Sequence, residues 1–492
     1  MADAATYREL GEAAWAWVLR QIRDGDGPWL PEEITDAEAG AGVPPEPPAD
    51  RDSLYAGIAG LAPVFAELAQ HGPLTAAERA LATGIAGRLA DRAAVRAEPS
   101  LYDGLGGDVL ALRILAPGRE RVPLRRLAEL RTPAGWTTTL DVDLDPPGPI
   151  TDVTMGTAGV VMTAAWAGGD DSAGIMAGGG EALLRAAEPA AGGLDWRMWP
   201  GYRSSSPNFS HGTAGVASAL AVAGRLLGRA DFVAAAVQGA RHLLAVGSLD
   251  DGGFIVEHTH PRSQREVEPV TYNWCHGPAG TSQLFAALAF AGVAEVGGYQ
   301  VGELRRRCLR SVLDSGVPQR LRPGFWDNDG RCCGTAGVGD ILLDAAQSGF
   351  ADERDSAEYA RHALVMGDAL VERAVVDGDG ARWRFIEYRQ DPPLLAPRTS
   401  WMQGAAGIAA YLLRLARFVE DGPAAAAVVD RPDQWWAVPE RLRVVNAPPR
   451  ADVPHDQRAR RRPAVPAVTA GGSSGSGERS RAHLGLTRAS EQ

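Results

Sequence analysis

The chain has 492 residues, 45% hydrophobic and 22% charged, the balance of a folded globular protein rather than a disordered or fibrous one. Its formal charge of -12 argues against generic attachment to nucleic-acid backbones or anionic membranes, since both need a basic face. The four cysteines, Cys275, Cys308, Cys332 and Cys333, are too few to staple so long a chain, which points to a reducing, cytoplasmic setting.

In chain order, residues 1–23 carry acidic residues from Asp3 onward and an amphipathic pattern through Leu10, Ala14, Trp17 and Leu19. That predicts a helix and not a signal peptide, which would begin basic and run apolar. Asp24 to Arg51 is acidic and rich in Pro and Gly, and reads as a long loop, so residues 1–50 form a helix-and-loop segment ahead of the main domain. From 51 to 449 the chain repeats. Gly-x-x-Gly leads into a small or apolar helical run seven times, at Gly57/Gly60, Gly104/Gly107, Gly156/Gly159, Gly212/Gly215, Gly277/Gly280, Gly334/Gly337 and Gly404/Gly407. Between them, Thr75–Ala94, Asp231–Val246, Val301–Gly316 and Ser356–Val376 show helical apolar period. Strand-like alternation is scarce. An all-α ring of about seven helix pairs follows, because one pair cannot bury its own apolar face and a closed stack can. Uncharged stretches such as 270–294 contain Cys, His, Gly and Pro, so no membrane insertion is expected. Residues 450–492, rich in Arg, Pro, Gly and Ser, read as a disordered tail.

Equivalent positions in a ring of repeats sit at one height and face one axis. The residue before each first Gly gives one column: Ala56, Asp103, Met155, His211, His276, Cys333 and Gln403. One position earlier stand Tyr55, Tyr102, Thr154, Ser210, Cys275, Cys332 and Met402. Cys275, Cys332 and Cys333 are thereby expected to converge as three thiolate ligands of a tetrahedral Zn(II), one per chain, with one position open. Taken singly, each could be ordinary buried core, but burial alone does not explain the shared register. Cys308, with Val301, Leu304 and Val312 on one helix face, reads as core. His211 is placed to move a proton near neutral pH, with a helix cap or a carbonyl bond as the plainer alternative. Ligation by both His276 and its neighbour Cys275 would be strained, so His276 is assigned a supporting or substrate-polarising role. His258 and His260 lie between Gly-rich and Pro residues and read as a surface hairpin rather than metal ligands.

The segments Asn273-Trp274-Cys275-His276-Gly277-Pro278-Ala279-Gly280, Cys332-Cys333-Gly334-Thr335-Ala336-Gly337 and Ser210-His211-Gly212-Thr213-Ala214-Gly215 resemble the lanthionine synthetase C-like family of peptide cyclases, over about residues 50–420. The resemblance implies an α/α toroid of about seven inner and seven outer helices around a central zinc. It also implies addition of peptide Cys thiols to dehydroalanine or dehydrobutyrine, closing (methyl)lanthionine thioether rings. The usual Cys-His before Gly is Cys332-Cys333 here, which looks like the family's three-cysteine variant. An Asp-x-x-x-Gly-x-x-Gly unit carries a family Asp over to Asp152, as a positioning or acid/base partner, although a helix N-cap would equally explain an Asp there. Some cyclases have Arg where this chain has Thr271.

A metal-held thiol is deprotonated and aimed, and the enolate made by its attack needs a proton from an acid such as His211. Three thiolate ligands leave the site one charge more negative than two thiolates and an imidazole. The expected partners are a dehydrated precursor peptide and a dehydratase supplied as a separate protein, since no kinase-like or lyase-like segment precedes the ring. Three competing readings remain: addition of a small thiol such as glutathione, a non-catalytic zinc-stabilised peptide scaffold, and a helical-toroid glycosidase. The last needs paired carboxylates, for which only Asp103 and Asp152 fall near the right columns.

Overall fold

The computed structural model describes residues 1–35, 47–140, 148–199, 201–202, 204–262, 268–319, 328–388 and 390–444. The tail expected over 450–492, and residues 36–46 of the expected acidic loop, lie outside the described residues.

The fold is an α/α toroid. Seven inner helices follow the Gly-x-x-Gly pairs: α2 (Ala62–His71), reached through a 3-10 turn over Ile58–Leu61, and, starting directly after the first Gly, α4 (Leu105–Leu115), α6 (Thr157–Ala167), α8 (Thr213–Leu227), α10 (Pro278–Phe290), α12 (Thr335–Gln347) and α14 (Ala405–Asp421). Each packs on the next, and α14 packs back on α2, so the ring is closed. The outer layer is α3 (Ala76–Ala93), α5 (Arg121–Leu130), α7 (Asp170–Ala186), α9 (Ala230–Val246), α11 (Val301–Asp314), α13 (Glu353–Arg373) and, from the N-terminus, α1 (Ala4–Gln21). Thus α1 supplies the outer partner of α14, and Gly11 lets the two approach: a Cβ there would meet Ala409 O at 3.2 Å.

Position in the ring explains composition. Inner α12 is buried along its whole length, as a helix covered on every side must be, whereas outer α11 buries Leu304, Cys308 and Val312 on one face and carries arginines on the other. Helix ends follow local chemistry. Thr75 and Glu78 form a capping box that starts α3 one residue later than expected, and Asp352 caps α13 three residues earlier than the periodicity suggested. Instead of ending α13, Val375 and Val376 enter a short hairpin (Val375–Asp377 with Gly380–Arg382), where β-branched side chains are at ease. Among the described residues, every strand is at most four residues long.

The two glycines of each motif are required by close approach. A Cβ on Gly277 would lie 2.5 Å from Thr271 O, and one on Gly280 would lie 1.8 Å from Trp274 O. Each loop therefore presses its backbone on the helix start, and the seven loops meet at one end. There Tyr55 N donates to Tyr102 O (2.9 Å), Tyr102 N to Thr154 O (3.4 Å), Thr154 N to Ser210 O (3.3 Å) and Ser210 N to Cys275 O (3.0 Å). Cys275 N donates to Cys332 O (3.3 Å), Cys332 N to Met402 O (2.8 Å) and Met402 N to Tyr55 O (3.2 Å). This closed circle of seven peptide bonds links the second column read from the sequence.

Residues 428–444 plug the ring interior. Arg431 pairs with Asp340 (2.8 Å), Asp433 accepts from the Tyr102 hydroxyl (3.2 Å), and Trp436 donates to Gln283 O (3.2 Å). Burial alone would raise the Asp340 carboxyl, yet Arg331, Arg414 and Arg431 around it hold it well down.

Candidate metal centre

Beside the circle of peptide bonds the three expected sulfurs come together. Cys275 Sγ lies 3.2 Å from Cys333 Sγ, Cys333 Sγ lies 3.3 Å from Cys332 Sγ, and all three fall within 4.8 Å of one another. Each cysteine is buried and free of disulfides. The fold places them by register alone: Cys275 and Cys332 are neighbours in the circle, and Cys333 is the next residue in its loop.

Three soft donors without a carboxylate among them make a possible site for a thiophilic metal. The packed sulfurs perturb one another strongly. Burial and the neighbouring sulfurs push the Cys275 thiol well up. The Cys275 hydrogen bond works to lower Cys333, but Cys332 and burial carry it well up. Cys332 goes well down, because hydrogen bonds from both neighbours outweigh burial. Asn273 Oδ1 supports the group by accepting from Cys275 Sγ (3.2 Å) and from His276 N (2.9 Å).

His211 and Asp152 meet on the same rim, with Nδ1 to Oδ2 at 2.7 Å. Asp152 is fully buried, and its other oxygen accepts from Met155 N at 2.7 Å, so it caps its loop and orients the imidazole at once. It is not the expected alternative of a helix N-cap, because Gly156 caps α6 and the Asp152 carboxylate bonds a loop amide ahead of it. Burial works to lower the pKa of His211, but the charge and hydrogen bond of Asp152 prevail and raise it. The imidazole retains 27% of its exposure, so part of the ring meets solvent.

His276 is part-buried, its ring 5.5 Å from that of His211 and its Nδ1 3.4 Å from Ser206 Oγ. His258 corrects the expected surface hairpin: it is 7% exposed and stands edge-on to His276, with ring centroids 3.8 Å apart. The chain from Phe254 folds inward there, because Phe254 and Val256 are core residues and carry the loop with them. Asp103 is buried with both carboxylate oxygens unpartnered, and burial, then Asp50 and Glu98, push its pKa up to about 8. Since Asp152 is committed to His211 and Met155, the carboxylate pair that a glycosidase needs is not formed by these two residues. Cys308 is fully buried on α11 among core residues, as expected. Thr271 is likewise buried, with no hydrogen-bond partner for its hydroxyl.

The sequence profile described as Lanthionine synthetase C-like protein matches residues 48–421. The chain belongs to the lanthionine synthetase C-like family. Among solved structures, one titled "Nisin cyclase" is similar at 15% identity and a TM-score of 0.48, covering 74% of this chain and 88% of that one. Another, titled as a possible member of GH105 family from Klebsiella pneumoniae subsp. pneumoniae MGH 78578, has 13% identity and a TM-score of 0.37, covering 71% of this chain and 95% of that one. At these scores neither likeness bears on function. No curated protein matches the sequence. Among the described residues, no helix is long and apolar enough to cross a membrane.

Sequence reasoning assigned no role to Asn273, which bonds Cys275 Sγ, or to Tyr55, Gln403 and Arg398, which hydrogen-bond in series across the ring closure. Tyr55 and Gln403 appeared in the columns, but nothing local marked them out.

Proposed function

We propose that this protein is a zinc-dependent peptide cyclase that adds Cys thiols to dehydroalanine or dehydrobutyrine, forming (methyl)lanthionine rings in a ribosomal precursor peptide. The observation carrying this reading is the convergence of three buried sulfurs with the His211–Asp152 pair at one end of the family toroid. Cys275, Cys332 and Cys333 would hold one Zn(II), which supplies, when bound, a deprotonated and directed substrate thiol.

The remaining chemistry falls to the chain. The S–Cβ bond forms as the C=C π bond breaks, and the Cα carbon must receive a proton. Asp152 occupies His211 Nδ1, leaving Nε2 to deliver that proton. Asp152 also raises the pKa of that imidazole and so favours its acid form. His276, held by the Asn273 loop and against His258, has its ring 5.5 Å from that of His211 and would polarise the dehydroamino acid carbonyl. A separate dehydratase would supply the alkene, and a reducing cytoplasm would keep the thiols free.

The test is metal content together with ring closure on a dehydrated, Cys-containing peptide. One zinc per chain is expected, lost in Cys275→Ala, Cys332→Ala and Cys333→Ala and retained in Cys308→Ala. Metal-free active protein would refute the zinc assignment. Metal-replete protein that couples only glutathione would favour small-thiol addition, and inert metal-replete protein would favour a peptide-binding scaffold.

A further inference from the structure

His211 stands in the fourth repeat and His276 in the fifth, and the chain between them holds on to both. From Phe254 onward burial alternates: Phe254, Val256 and His258 are buried, while Ile255, Glu257 and Thr259 are only half-buried. That is the two-residue period of extended backbone. At its third inward position, where the pattern calls for an apolar side chain, stands an imidazole.

The segment Glu257–His260 is sewn to the turn ahead of His211. Asn208 Nδ2 donates to Glu257 O (2.9 Å) and to His258 O (3.5 Å), and Ser206 Oγ donates to His258 O (3.4 Å). Ser205 N donates to His260 O and His260 N to Ser205 O, both at 2.8 Å. The turn itself presses on the residue after His211, since a Cβ on Gly212 would fall 1.4 Å from Ser206 O. On its other side the segment meets the fifth repeat. His258 N donates to Pro269 O (2.8 Å), on the approach to the His276 loop, and the His258 ring stands edge-on to that of His276, centroids 3.8 Å apart and planes at 73°. The His276 ring in turn lies 5.5 Å from that of His211 at 30°.

We infer that His258 is a positioning residue, which carries the placement of the His211 turn across to His276 and so holds imidazoles from two repeats in one arrangement. This rests on the reading that His211 and His276 act on the same dehydroamino acid residue. The need is geometric. The α-carbon that takes the proton and the carbonyl oxygen that is polarised are two bonds apart in the substrate, so a loosened His276 costs rate rather than binding. An aliphatic side chain at 258 would fill the space but lack the directional edge-to-face contact of two rings.

The experiment uses the full chain loaded with zinc and a dehydrated, Cys-containing peptide. It reads kcat and KM of ring closure, metal content, and the His276 ring C–H resonances in protein carrying isotope-labelled histidine. His258→Ala is expected to lower kcat about tenfold with KM and metal content unchanged, and to move the His276 resonances as the ring current of His258 is removed. His258→Phe puts a ring back in the same place and is expected to recover most of the rate, whereas His258→Leu, bulky but without a ring, does not. In a His276→Ala background, His258→Ala is expected to cost no further rate. An unchanged kcat in His258→Ala, equal rates for the Phe and Leu variants, or the same loss with and without His276 would overturn the inference alone. Wild-type protein that closes no ring would instead overturn the cyclase reading, and the inference with it. If His258→Ala does not fold, the comparison of His258→Phe with His258→Leu decides.

Discussion

Replacing Asp152 by Asn isolates what the carboxylate does for His211. The amide oxygen of Asn still accepts from Met155 N, so the loop cap survives, while the negative charge 2.7 Å from Nδ1 is lost. A hydrogen bond to a charged group contributes about 1.5–3 kcal/mol, and the same energy withdrawn from the imidazolium corresponds to about a ten- to hundred-fold loss in the proton-delivery step. The direction with pH follows from the raised pKa of His211. In wild type the acid form persists above the usual histidine range, so the proton-delivery step is present at low pH and lost as pH rises through that raised value. In Asp152→Asn this descending limb moves to lower pH. Stability obeys the same sign: the pair stabilises the fold fully below the unfolded histidine pKa, about 6.5, and the contribution fades as pH rises through the folded value. The assays are a pH–rate profile of single-turnover ring closure and thermal melts of both proteins across the same pH range. An unchanged descending limb, or a stability gap that grows as pH rises through the histidine range, would refute the assignment of His211 as the Asp152-charged acid.

Cys333→His is expected to retain one metal per chain, since imidazole and thiolate both bind zinc, but to slow single-turnover cyclisation because the less negative site holds a substrate thiol more strongly; equal or faster turnover at full metal content would show that ligand charge does not limit the rate. Arg431→Leu leaves Asp340 short of one of its three arginines in the buried plug and is expected to destabilise the protein by about 3–5 kcal/mol, read by chemical denaturation, while a variant as stable as wild type would show that the plug does not clamp the ring. Gly280→Ala places a Cβ 1.8 Å from Trp274 O and is expected to displace the Cys275 loop, so metal binding measured by stoichiometry falls even where the helical circular dichroism survives.

What the sequence determined by itself was local and periodic. The glycine pairs were legible because loop backbone pressing on a helix start excludes any side chain, and this requirement recurs in every unit. Repeat register then placed Cys275, Cys332 and Cys333 at one height, since equivalent backbone positions in a ring are related by rotation. The burial of Cys308 followed from the apolar face of one helix. Tertiary structure alone decided which elements meet across the closure. That α1 covers α14, that His258 turns inward against His276, and that residues 428–444 fill the ring leave no mark in any local period. The same holds for the series Arg398, Gln403 and Tyr55. Their columns gave height but not neighbourhood, because the first and seventh repeats are far apart along the chain and become adjacent only when packing of α14 on α2 shuts the ring.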